Sequence, residues 1–293
     1  MTLTFSPLRY PGGKSCLYPL LAVILDKNEL RRTHYVEPYA GGCGLALSLL
    51  IKGDVSEIHI NDIDISIWAF WHCVLEQTDE LISKIRETPV TIEQWHIQRE
   101  IHNKRNKQDL LSLGFATFFL NRTNISGIIK RAGPIGGRLQ KGNYKLDCRY
   151  NTKALINKIL IISQYKDRVH LTNLDAVKFI QSFKGQHPAD LFFCIDPPYF
   201  KKGAELYTSS YAPKDHAKLA NEVLKLKSPW IVTYDYIEDI KNLYGSHRQF
   251  CFDINYSLQT KKIANELLIV SKGLKLPENI ESRQINQASY KAA

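Results

Sequence analysis

The chain of 293 residues lacks the cysteine spacings of a metal or disulfide framework. Its six cysteines, Cys16, Cys43, Cys73, Cys148, Cys194 and Cys251, are scattered, with no Cys-x-x-Cys unit and no histidine at zinc spacing. They suit reduced thiols in a cytoplasmic protein. No apolar run approaches the length that spans a bilayer, and Met1 to Lys14 has neither an apolar h-region nor a cleavage pattern. Neither a membrane protein nor a secretory precursor is therefore expected. Internal repeats and low-complexity tracts are absent as well. Acidic residues are in deficit: 29 Asp and Glu stand against 39 Lys and Arg, a net charge of +10 and a pI near 9.2. That balance favours a polyanionic partner, nucleic acid first, although a solvated basic face would share it. Apolar content of 44% and charged content of 23% are ordinary for a globular chain. The length suffices for one large domain, or for a large and a small one.

Short apolar runs at 35–36, 57–60, 169–171, 191–195, 230–233 and 267–270 read as buried strands. Helical spacing follows at 45–51 and at 217–226, where Leu219, Val223 and Leu226 share a face. Strands alternating with helices imply an α/β domain with a mostly parallel sheet. The last two candidate strands, 249–254 and 267–270, are close enough in sequence to form an antiparallel hairpin. From about Trp68 to Tyr150 the rhythm breaks. Amphipathic helices give way to a Gly-rich basic stretch containing Lys130, Arg131, Gly133, Gly136, Gly137, Arg138, Lys141, Lys145 and Arg149. The segment reads as an insertion. Its charge, backbone freedom and polar side chains (Asn121, Arg122, Thr123, Asn124) are what DNA contact needs.

Three motifs carry chemistry. The strand 191–195 runs into Asp196-Pro197-Pro198-Tyr199, a place where open α/β sheets bind ligands. The prolines stiffen the turn and remove two N–H donors. An amino group on an aromatic ring is a poor nucleophile because its lone pair is delocalised. The Asp196 carboxylate and Pro197 carbonyl can grip its hydrogens and expose that lone pair, while Tyr199 offers a stacking face for a base turned out of a duplex. The second motif, Glu37-Pro38-Tyr39-Ala40-Gly41-Gly42-Cys43-Gly44, lies between a strand and a helix and reads as a nucleotide-cofactor loop, with Asn61-Asp62 about 20 residues on as the acidic partner for ribose. A nicotinamide dinucleotide fits such a turn too. Against it, Leu47 fills the third small position, and Glu37 suits a cationic amino or sulfonium group better than a pyrophosphate. The third, Arg9-Tyr10-Pro11-Gly12-Gly13-Lys14, is not a P-loop, and alone reads as a tight turn.

In this order, with the basic insertion between the second and the tetrad, the motifs resemble Dam-type adenine-specific DNA methyltransferases from about Leu8 to Leu274. The resemblance implies an α/β fold: a Rossmann-like methyltransferase sheet, mostly parallel with an antiparallel C-terminal hairpin, into which a small, mainly helical target-recognition domain is inserted. It implies a catalytic domain over 1–67 and 151–275, recognition over 68–150, and a tail at 276–293. S-adenosylmethionine is the implied cofactor. Tyr10 and Lys14 match the segment that closes over it and reaches the catalytic Asp. Glu37, Tyr39, Ala40, Gly41 and Gly44 match the loop around the methionine part, Asp62 the ribose carboxylate, and Asp175 the position beside the adenine. Asp196, Pro197, Pro198 and Tyr199 match the catalytic tetrad.

Asn121, Arg122, Asn124, Ile125, Arg131 and Arg138 are the expected DNA contacts. Family members that read GATC carry an aromatic-Asn-Gly step where this chain has Ile125-Ser126-Gly127, so the resemblance carries over the chemistry but not the GATC specificity. The implied partner is double-stranded DNA, with a cognate restriction endonuclease as a further one if the chain belongs to a restriction-modification pair. A monomer or weak dimer is expected, and no metal. The absence of a Pro-Cys dipeptide fits direct transfer without a covalent enzyme intermediate. Cytosine-N4 or RNA adenine methylation, and a non-catalytic DNA-binding subunit, are the competing readings.

Overall fold

A computed structural model describes residues 4–10, 12–200, 211–257 and 261–285. Pro11 of the N-terminal motif and residues 286–293 of the expected tail lie outside them. Seven strands among the described residues form one sheet: β1 (His34–Glu37), β2 (Glu57–Asn61), β3 (Val169–Thr172), β4 (Leu191–Ile195), β5 (Trp230–Asp235), β6 (Arg248–Ser257) and β7 (Lys261–Val270), in the order β3-β2-β1-β4-β5-β7-β6. The first five are mutually parallel, and β7 pairs antiparallel with both β5 and β6. The expected C-terminal hairpin is present, and it enters the sheet with its second strand innermost. Strand order reverses between β1 and β4, so the crevice at their carboxyl ends is the natural ligand position.

Period-two alternation divides the core into two layers. Tyr35, Ile58, Ile60, Phe192 and Cys194 face a layer that includes α1 (Tyr18–Lys27) and α2 (Gly44–Ile51). Val36, Phe193, Ile195, Val232 and Tyr234 face the opposite layer, built from α8 (Ala176–Gln181), α9 (Pro213–Val223) and α10 (Glu238–Leu243). Every residue of β4 is buried, as a parallel strand covered on both faces requires. α9 starts four residues before the expected Ala217. Pro213 takes the first helical position, where its missing N–H costs nothing, and Asp215 accepts from the Ala212 amide at 2.9 Å.

The inserted segment is helical and has no separate core. α3 (Ile65–Glu76), α4 (Thr78–Glu87), α5 (Ile92–Lys104), α6 (Leu110–Thr123) and α7 (Thr152–Ser163) bury Phe70, Trp71, Trp95, Phe118 and Phe119 in the same cluster as Leu45 and Ile58 of the sheet domain. A boundary at Trp68 would cut through α3. Residues 276–285 are likewise part of the fold: Leu276 and Ile280 are buried, and the Ile285 amide donates to Gln249 O at 2.9 Å. From Ile125 to Tyr150 the insertion is a chain of turns. Ser126, Arg131 and Gln140 join Gly127, Gly136 and Gly137 at positive φ. The Gln140 side chain ties the turns by donating to Ile135 O and accepting from the Leu146 amide. No described helix is long and apolar enough to cross a membrane.

α3 and α6 cross at Gly114, where a Cβ would stand 2.7 Å from Ala69 O. Gly114→Ala is expected to lower the free energy of unfolding by about 1–3 kcal/mol through overpacking, read from the urea midpoint.

Candidate active site

The loops at the carboxyl ends of β1, β2 and β4 meet in one cleft. Its wall includes Tyr10, Gly12–Lys14, Glu37, Tyr39–Leu45, Asp62–Asp64, Asp196, Pro198 and Tyr211. The glycine turn and Asp196 therefore open onto the same space. Pro197 is buried and is not part of this wall.

Lys14 is the pivot. Its side chain is 4% exposed, and its ammonium lies 3.0 Å from Asp196 Oδ1 and 3.5 Å from Glu266 Oε2 and donates to Gly12 O and to the Tyr199 hydroxyl, each at 3.2 Å. Tyr199 in turn donates to Glu266 Oε1 at 2.5 Å. Thr233 on β5 donates to Asp196 Oδ1 at 2.6 Å. With Oδ1 taken by Lys14 and Thr233, Asp196 keeps Oδ2 for a hydrogen that enters the cleft. Burial, with Asp196 close by, pushes Glu266 up to about 7, while Lys14 and the Tyr199 hydroxyl pull the other way.

The glycine turn is held from three sides. The Trp71 indole donates to Gly41 O at 2.9 Å, and Gly41 N–H donates to Asp62 Oδ2 at 2.9 Å. Tyr10 packs so closely that a Cβ on Gly41 or Gly42 would fall 2.6 Å from it. The glycines thus admit the N-terminal motif itself. Asp62 also accepts from the Asp64 amide at 2.9 Å, yet burial pushes it up to about 7. Asn61, fully buried, uses all its amide valences on three loops: Nδ2 donates to Pro38 O and Leu174 O, and Oδ1 accepts from the Leu174 amide and the Thr172 hydroxyl.

Glu37 is buried, and its Oε2 has no hydrogen-bond partner. Burial, reinforced by Asp196, pushes its carboxyl well up. An orphaned carboxylate oxygen on a cleft wall fits a cationic ligand group. Asp175 caps α8, accepting from Val177 and Lys178 amides, and lies outside the cleft wall. Tyr39 and Tyr211 join hydroxyl to hydroxyl at 2.9 Å.

Two of the expected DNA contacts are buried. Asn121 is fully buried and grips the Arg9 backbone from both sides, accepting its N–H at 2.7 Å and donating to its carbonyl at 2.9 Å, with a further bond to Gly127 O. Asn124, also fully buried, donates to Ile128 O and Ile129 O and accepts from the Trp95 indole. Their amides are spent inside the protein. Arg122 donates from Nε and Nη2 to Arg149 O and from Nη1 to Pro7 O, which makes it a strap between segments. Ile125 (42% exposed), Arg131 and Arg138 are on the surface, joined by Leu139 and Tyr144 at 77% and 68% exposure.

The model of the D12 class N6 adenine-specific DNA methyltransferases matches residues 10–262. The chain belongs to that family. No curated protein matches it significantly. Solved structures of similar outline include SMU.776, described as a methyltransferase complexed with SAH (10% identity, 85% of this chain, 50% of that one, TM-score 0.36). Another is protein LPL1258 of Legionella pneumophila, from family DUF519 (11% identity, 89% of this chain, 84% of that one, TM-score 0.33). This chain spans half the length of SMU.776.

For a D12 class chain, sequence reasoning missed Glu266, Thr233 and Tyr211 at the site and gave Asn61 no role of its own. Glu266 had a signal, a lone acid directly before the apolar run Leu267–Val270. Thr233 and Asn61 had none, because a polar residue at a strand end is ordinary.

A carboxyl raised in the fold favours the native state at low pH and loses that advantage as pH rises from its ordinary 4.5 to about 7. Glu266→Gln is therefore expected to gain stability relative to the parent across that window, by about 2–3 kcal/mol between pH 4.5 and 7.5. Paired urea titrations check this, and parallel pH profiles would refute the assignment.

Proposed function

We propose that this chain transfers a methyl group from S-adenosylmethionine to the exocyclic N6 amino group of an adenine turned out of double-stranded DNA. The observation that carries the reading is the shared cleft: Asp196 and the Gly41–Gly44 turn line the same space. S-adenosylmethionine, when bound, supplies an electrophilic methyl group. The buried Glu37 suits its cationic end, the first turn of α2 suits its carboxylate, and Asp62 its ribose hydroxyls.

Toward the base, Asp196 Oδ2 and the Pro197 carbonyl accept the two amino hydrogens, which frees the nitrogen lone pair. Lys14 and Thr233 keep the carboxylate in one orientation. That preorganisation is where the rate gain arises. Pro198 stiffens the turn, and Tyr199, tied by its hydroxyl to Glu266, presents a ring in a fixed pose. The exposed Arg131 and Arg138 bind phosphates, while Ile125, Leu139 and Tyr144 supply apolar surface to the opened stack.

Asp196→Ala is expected to lower methylation at least 10²–10³-fold, on the order of what loss of one preorganised polar partner costs. Calorimetry should still show S-adenosylhomocysteine bound. Mass spectrometry of nucleosides from treated DNA and RNA is the readout, with N6-methyladenine in DNA the expected product. Full activity in the variant would remove Asp196 from the mechanism, and N4-methylcytosine would redirect the substrate. Arg131→Ala and Arg138→Ala are each expected to weaken DNA binding and reduce its salt slope by about 1. Asn121→Ala should lower stability and leave that slope alone.

A further inference from the structure

At the end of the sheet opposite the cleft, three adjacent strands bring histidines to one face. His34 on β1 stands in register with Glu57 on β2, His59 on β2 with His170 on β3, and Glu57 and His59 are two residues apart. His34 Nδ1 and His59 Nε2 face each other at 3.1 Å, and Glu57 Oε2 is 3.8 Å from His34 Nδ1 and 2.6 Å from His170 Nε2. The His59 ring stacks on both neighbours, with centroids 5.3 Å from His34 and 4.4 Å from His170. The ligand atoms of His34, Glu57 and His59 all lie within 4.8 Å of one another, the one such grouping among the described residues. Side-chain exposures of 34% for His34, 33% for Glu57 and 45% for His170 leave the group open to an ion from solvent.

We propose that His34, Glu57 and His59 bind a divalent transition-metal cation of the zinc or nickel class. Donors about 2.0–2.1 Å from a tetrahedral zinc stand about 3.3–3.4 Å from each other, and the 3.1 and 3.8 Å separations bracket that spacing. Two imidazole nitrogens that face each other need either a hydrogen or a shared cation between them. Two imidazoles with one carboxylate select a borderline divalent ion over magnesium or calcium, which take oxygen ligands. His170 donates to Glu57 from outside the set, an arrangement that orients a ligating carboxylate. The fourth position opens to solvent and takes water. A cation held there ties the amino-terminal ends of β1 and β2 together, and β3 through His170. Its place at the far end of the strands makes it a clamp on the sheet, separate from the methyl-transfer cleft.

The test uses the full chain, stripped with chelator and titrated with Zn²⁺ in a calorimeter and with Co²⁺ in a spectrophotometer. The parent protein is expected to take up one equivalent of Zn²⁺, to melt at a higher temperature with Zn²⁺ than without, and to give the visible bands of four-coordinate Co²⁺ with nitrogen and oxygen donors. His34→Gln and His59→Ala should each weaken uptake at least tenfold, and His170→Ala by about tenfold. Because His59 also packs on Phe183, His34→Gln at the half-exposed start of β1 carries the test if His59→Ala unfolds, as judged by circular dichroism. No uptake by the folded parent protein would overturn the proposal. So would unchanged uptake in His34→Gln, or thiolate-to-cobalt charge-transfer bands, which would place the ion on cysteine.

Discussion

One buried ammonium between two carboxylates organises this protein. Lys14 comes from the N-terminal segment, Asp196 from the end of β4 and Glu266 from β7, and the three meet where solvent is nearly excluded. A lysine this deep is tolerable only with charge partners and hydrogen bonds, and stranding one member leaves an uncompensated charge at a cost of about 3–5 kcal/mol. The cluster therefore locks a strand end, an antiparallel strand and the N-terminal motif into one geometry. It also sets the Asp196 carboxylate, since Lys14 and Thr233 on one oxygen determine where the other points.

The same N-terminal segment is pinned twice more. Tyr10 fills the space left by Gly41 and Gly42, and the Arg9 backbone is clasped by Asn121 at the end of α6. A Cβ on Gly127 would stand 2.2 Å from Arg9 O, so the turn that follows α6 also closes on this segment. Arg9 thus meets the basic insertion, Tyr10 the glycine turn, and Lys14 the Asp196 carboxylate. Asn121, expected to touch DNA, instead joins the turn after α6 to the N-terminal segment. On the other side, Asn61 ties the loops after β1, β2 and β3 and sets Asp62 under the glycine turn.

What the amino-acid sequence determined by itself was local. Continuous apolar runs marked the parallel strands, because a strand covered on both faces has no polar side to show. Asp196-Pro197-Pro198-Tyr199 and the glycine turn were legible because their chemistry needs particular residues in an unbroken row. The hairpin was legible from proximity. Beyond the reach of pattern were the order in which β7 enters the sheet, the sharing of one core by the insertion and the sheet domain, and the side on which a polar residue ends. Asn121 and Asn124 read as recognition side chains because an amide suits a base edge as well as a backbone. Only the packing of α6 against Arg9 and Trp95 decided that theirs are spent internally. Glu266 and Thr233 belong to the site through contacts with residues far away in the chain, Tyr199 lying 67 positions from Glu266 and Asp196 lying 37 from Thr233. Such contacts exist only once the sheet has closed, so tertiary structure alone could assign them.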